Sequence, residues 1–142
     1  MSYDELLRTG RIRREQISRA ERDLSTARKV MASDWDWGFA IAYNAVLQAS
    51  RAYMFSQGFR PASVEGHKNT FAFMRQALGK DYDDLISYFD RMRSKRNRVI
   101  YDVAGIITET EARNLFSKAV EFVAMMGRQL PRKPNARGRN HG

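Results

Sequence analysis

Apolar residues recur along the chain at spacings of three and four in five separate stretches, and the alternation expected of strands is almost absent. In the first stretch, about 11 to 32, Ile17, Ala20, Leu24, Ala27 and Val30 or Met31 share one helical face, while arginine and glutamate take the others. A short separate turn is expected before it, at 3 to 9. A second helix is expected over about 34 to 57, where Ser33 and Asp34 can cap the start and Gly58 gives the stop. It is apolar around most of its circumference, as in the central helix of a bundle or a helix buried in an oligomer interface. Its polar stripe, Asn44, Gln48 and Arg51, is flanked by Trp37 and Phe55 and reads either as a partly solvated seam or as a cleft wall.

The third helix is expected over about 63 to 78, with Ser63 as cap and Val64, His67, Phe71, Met74 and Leu78 on one face. The fourth runs from about 81 to 101, closed with the help of Gly105. The fifth starts at "TETE", where Thr108 and Glu111 have the spacing of a capping box, and continues to about 129 with Leu115, Ala119, Phe122 or Val123 and Met126 inward. All three prolines fall outside these helices, and there are neither internal repeats nor heptads long enough for a coiled coil. The pattern predicts an all-α fold, an antiparallel four- or five-helix up-and-down bundle forming a single domain over 1–130, with a basic tail at 131–142.

Composition narrows the chemistry. A length of 142 residues suits one domain with one core. The chain has no cysteine, which excludes disulfides, zinc–cysteine clusters and a thiol nucleophile and suits a reducing cytoplasm. Its first residues lack an apolar core of signal-peptide length, and no run of eighteen apolar residues occurs, so a soluble cytoplasmic protein with no membrane contact is expected. Lysine and arginine number 25 against 16 acids, a net charge of +9 that favours polyanions such as nucleic acid. Part of that excess, Arg128, Arg132, Lys133, Arg137 and Arg139 in "RQLPRKPNARGRNHG", lies among prolines and glycines in the tail, which reads as a disordered solubilising segment or as an RNA-contacting arm.

The familiar catalytic signatures are missing: no GxxxxGK[ST] phosphate loop, GxGxxG turn, HExxH pair, EF-hand loop or GxSxG elbow. Of the two histidines, His141 is in the tail and His67 lies on an apolar face, either as a core residue with one satisfied hydrogen bond or as a site residue. Asp81, Asp83 and Asp84 crowd a helix start, where they favour the dipole. No metal and no cofactor is expected.

The fourth helix carries the anomaly. Leu85, Phe89, Met92, Val99 and Ile100 define an apolar arc, and Arg96 falls near its middle, one turn from Met92 and from Ile100. Arg91, Lys95, Arg98 and Asp102 take the wet face. A guanidinium directed at a bundle interior is costly unless paired, hydrogen-bonded or open to a cleft that holds an anion. Two explanations stand: a salt bridge to a neighbouring helix or subunit, or a charge held for phosphate, whose oxygens fit the planar fork of donors.

"RNRVIYD", residues 96 to 102, resembles the signature of the HEPN domains, all-helical proteins named for higher eukaryotes and prokaryotes nucleotide-binding. Their motif is an arginine, a polar residue that is often asparagine, about three further residues and a histidine near the end of a late helix. Arg96 and Asn97 match the first two positions. The likeness extends over about residues 15 to 127 through the helix order, the Ala- and Tyr-rich second helix, the histidine near the start of the third, and the ending "YDVAGIITETEARNLFSKAVEFV". It implies a homodimer that brings two motifs into one cleft, where the ribonuclease members cleave RNA without metal. Histidine assists attack by the ribose 2′-hydroxyl, and arginine stabilises charge growing on the phosphate.

Tyr101 occupies the histidine slot here. Tyrosine makes a poor base at neutral pH, because an ordinary phenol holds its proton until about pH 10. Tyr101 can still donate to a phosphate oxygen, act as an acid, stack on a base or merely pack at the helix end. Asn97 can orient either neighbour or contact ligand. The residues expected to contact RNA or nucleotide are Arg51, His67, Arg93, Arg96, Asn97 and Tyr101, with Arg96, Asn97 and Tyr101 as the catalytic set if cleavage survives. In some systems HEPN proteins pair with a minimal nucleotidyltransferase as toxin and antitoxin, and the partner adenylylates a tyrosine two residues beyond the histidine slot; Val103 stands there in this chain.

Three functional readings follow. The first is a dimeric HEPN protein that binds RNA or nucleotide, with ribonuclease activity lost or weakened, within a toxin–antitoxin or defence system. The second is an active metal-independent endoribonuclease toxin. The third is a structural or regulatory helical partner of a nucleotidyltransferase-type antitoxin.

Overall fold

A computed structural model describes residues 3–59, 66–101 and 105–129, with side chains at all of these except 3–10, 12 and 66–68. The elements, in chain order, are α1 (Tyr3–Met31), α2 (Trp35–Ser56), α3 (Gly66–Leu78), a 3-10 turn (Lys80–Tyr82), α4 (Asp83–Tyr101) and α5 (Glu109–Gln129). No strand occurs among the described residues.

The first boundary departs from expectation. No separate turn precedes the first helix; α1 runs unbroken from Tyr3. Gly10 is its only breaker, and one glycine costs a helix interior only about 1 kcal/mol, too little to stop a helix whose later turns are packed. In α1, Ile17, Ala20, Leu24, Ala27 and Met31 are buried, and Val30 is half-buried. α3 begins at Gly66, and the expected cap Ser63 and apolar Val64 lie outside the described residues. The fourth segment starts as a 3-10 turn, and α4 proper begins two residues later than expected, at Asp83.

α2 is the centre of the bundle, and α1, α3, α4 and α5 all pack against it. Phe39, Ala42, Tyr43, Ala45, Val46, Ala49, Ala52 and Met54 have no exposed surface, which accounts for its nearly all-round apolar sequence. The α1–α2 corner is tight. The Asp34 carboxylate accepts from the Trp37 N–H at 3.0 Å as the N-cap. A Cβ on Gly38 would lie 2.0 Å from Cγ of Met31, so only glycine permits this approach. Phe89 and Phe122 meet edge to face at 5.2 Å and join α4 to α5 across the core.

α5 opens with the expected box: the Glu111 N–H donates to the Thr108 hydroxyl at 3.1 Å, and the Thr108 N–H donates to the Glu111 carboxylate at 3.0 Å. Just before it, the buried Asp36 of α2 accepts from the backbone N–H groups of Gly105 and of Ile107, the latter at 3.0 Å. Gly105 has φ +86°, a conformation that favours glycine. One carboxylate thus ties the segment after α4 to the start of α2. Removing it strands two amides. Asp36→Ala is expected to lower unfolding stability by about 2 kcal/mol, read as a lower urea midpoint with an unchanged m value.

Candidate functional site

The apolar arc of α4 is rotated slightly from the expected one. Ile86 and Phe89 are its fully buried members, while Leu85, Met92 and Val99 are only partly covered. That rotation moves Arg96 off the closed interior. It is half-buried at the edge of the bundle, on the wall of an open cleft of about 360 Å³ between α1, α2 and α4. α1 contributes Asp23 and Thr26 to this cleft, α2 contributes Trp37, Ile41 and Asn44, and α4 contributes Arg96 and Ile100.

What holds Arg96 is an aromatic face. Its guanidinium carbon lies 5.8 Å from the ring centroid of Tyr43, which has no exposed surface and is itself braced edge-on by Phe71 at 6.1 Å. Such a contact orients a cation without neutralising it. Nη1 donates to Oδ1 of the adjacent Asn97 at 3.5 Å, a long bond, and Nε is buried without a hydrogen-bond partner among the described residues. No carboxylate pairs with Arg96 among the described residues. The salt bridge that would have given it a purely structural reason is therefore not formed among the described residues.

The neighbouring cations differ. Arg93 donates to Asp90 at 3.1 Å, and Asp90 is shared with Arg75 of α3 at 3.0 Å. Arg93 is therefore a committed charge in a two-arginine clamp on one carboxylate. Arg51 is half-buried on α2, near enough to the Tyr43 phenol to act on it. Lys95, expected on the wet face, is half-buried and paired with Glu111, because the start of α5 comes within side-chain reach of α4 there. The side chain of His67 and residues Asp102 and Val103 lie outside what the structure describes.

Tyr101 stands apart. It is 78% exposed at the last residue of α4 and does not line the cleft with Arg96, although only five positions separate them. Five residues on a helix turn a side chain through about 500°, or roughly 140° away from the starting direction. Within one chain, then, Arg96 and Asn97 are neighbours and Tyr101 projects outward. The sequence reading missed Asp23, Thr26 and Ile41 as cleft residues, and Tyr43 as the support of Arg96. The polar stripe on α2 was the available signal, since Asn44 and Trp37 face the cleft. Asp23 gave none, because one more acid on the charged side of α1 looks like surface.

Burial pushes the Tyr43 phenol well above its ordinary value, against the opposing pull of Arg96, Arg93 and Arg51, while Asp90 adds to the rise. Burial likewise raises Tyr88, which accepts a hydrogen bond from Asn114 at 3.1 Å. Among the described residues no group of histidines and acids could hold a metal ion. No described helix is long and apolar enough to cross a membrane.

A tight turn from α1 into α2, a buried central helix and an Arg-Asn pair late in α4 define an all-helical HEPN-type bundle. The HEPN domain model matches residues 14–129, and the chain belongs to that family. No curated protein matches it.

The buried phenol gives a signed expectation. A raised folded-state value favours the neutral ring, so its stabilising effect is full below the unfolded value of about 10 and is lost as pH rises toward the folded value. Unfolding stability should fall as pH climbs past about 10, and Tyr43→Phe should flatten that fall in denaturant titrations at a series of alkaline pH values.

Proposed function

We propose that this HEPN-domain protein binds RNA or a nucleotide at the Arg96 cleft, works as a homodimer, and has lost or weakened ribonuclease activity, within a toxin–antitoxin or defence setting. The observation that carries the reading is an arginine oriented by a buried ring and left without a carboxylate among the described residues. Its free donors suit phosphate oxygens, and a net charge of +9 draws polyanions toward the surface.

The outward Tyr101 supports the homodimer and the weakened activity together. Lying outside its own chain's cleft, it reaches a phosphate held by Arg96 only where a second copy brings the two surfaces together. A phenol is there a hydrogen-bond donor or a stacking face rather than a base.

The test is binding and cleavage of labelled single-stranded RNA in chelator at several salt concentrations, comparing the parent with Arg96→Ala and Tyr101→His. The expected outcome is salt-dependent binding by the parent without cleavage. Arg96→Ala should weaken it by about tenfold or more and lower the salt slope by about one. Cleavage should appear in Tyr101→His. Cleavage by the parent that disappears in Arg96→Ala would establish an active endoribonuclease instead. Neither binding nor cleavage would leave the structural partner of a nucleotidyltransferase.

A further inference from the structure

The Arg96 cleft has a second pole. Asp23 of α1 lines it, half-buried, and is tied to α2 by Gln48 and, at 3.5 Å, by Asn44. Both of those amides donate to the same oxygen, Oδ2; Oδ1 receives no donor among the described residues. The same cleft is lined by the apolar Ile41, Ile100 and Trp37, which is 51% exposed, and by the polar Thr26 and Asn44.

An occupant must satisfy all three features. Inorganic phosphate or a polyphosphate would meet Arg96 at one end and be repelled by Asp23 at the other. A simple cation would be repelled by Arg96. The arrangement suits a group with an anion at one end, a flat apolar face and N–H donors at the other end, which is a nucleotide residue. The volume, about 360 Å³, is at the small end of ligand pockets and fits a single nucleotide. Its base would stack on Trp37, as bases of unpaired strands stack on aromatic side chains.

The carboxylate then discriminates among bases, because it only accepts hydrogen bonds. Uracil flanks its single N3–H with two carbonyl oxygens, which a carboxylate repels. Adenine and cytosine each set their amino group beside a ring nitrogen that is itself an acceptor. Guanine alone places two donors, N1–H and the N2 amine, side by side.

We propose that Asp23 selects guanine in the cleft where Arg96 holds the phosphate, so that the protein prefers single-stranded RNA with an unpaired guanosine. This rests on the phosphate-binding reading of Arg96 given above. Asp23 is a specificity residue in it, and Trp37 the stacking surface for any base.

The test uses fluorescence anisotropy with three labelled RNAs: a uridine nonamer, the same nonamer with one central guanosine, and that nonamer with inosine, which lacks the N2 amine. The full-length protein is expected to bind the guanosine nonamer about tenfold tighter than the uridine nonamer, with inosine in between. Asp23→Asn should remove the difference, and Arg96→Ala should weaken all three RNAs in parallel. Equal affinity for the three, still weakened by Arg96→Ala, overturns the guanine preference and leaves the phosphate reading standing. An inosine nonamer bound as tightly as the guanosine one overturns the role of the paired donors without relying on any variant. No binding to any of the three overturns both readings.

Discussion

Burial of α2 on nearly every side is the constraint from which the other positions follow. A helix with so little polar surface needs cover from several directions, and α1, α3, α4 and α5 supply it. Close approach at the α1–α2 corner requires Gly38, and Asp36 at the same end of α2 ties down the segment that leads into α5. α4 is therefore laid along α2 with little freedom to rotate. Its inner face is filled by Ile86 and Phe89, so Arg96 comes to the rim beside Tyr43 rather than into the closed core.

That placement separates two kinds of arginine along the same helix. Arg93 is consumed by Asp90, which also takes Arg75, and its energetic role is to tie α4 to α3. Ion pairs that keep contact with solvent, as these part-buried ones do, contribute little, and the network adds mainly positional definition. Arg96 has, among the described residues, an aromatic face and an asparagine instead of a carboxylate. A cation so held keeps most of its charge and several donors, which makes an anionic partner its natural complement. The proposed function rests on that difference between neighbours three residues apart.

The cleft is not uniformly cationic, and this shapes what it suits. Asp23 faces the same space as Arg96, and Trp37 and aliphatic side chains line it too. Opposite charges across a small, partly apolar gap suit a ligand that is itself divided into an anionic and a donor-bearing part. In the proposed function, electrostatic attraction from the net positive chain brings RNA to the surface, and the cleft holds one residue of it.

Periodicity in the sequence determined the helices, because a face that must leave water has to repeat every three or four residues whatever it packs against. The capping box at Thr108 and Glu111 was legible for a similar reason, since its donors and acceptors lie within one turn. The same local signals marked Arg96 as out of place on its helix. They were blind to what surrounds it. Tyr43 under its guanidinium, Asp23 across the cleft, Asp90 taking Arg93, Glu111 taking Lys95 and the outward turn of Tyr101 are all consequences of how one helix lies against another. Spacing within a helix fixes which side chains share a face, but a few tens of degrees of rotation in the packed bundle decide whether a borderline residue meets core, cleft or solvent.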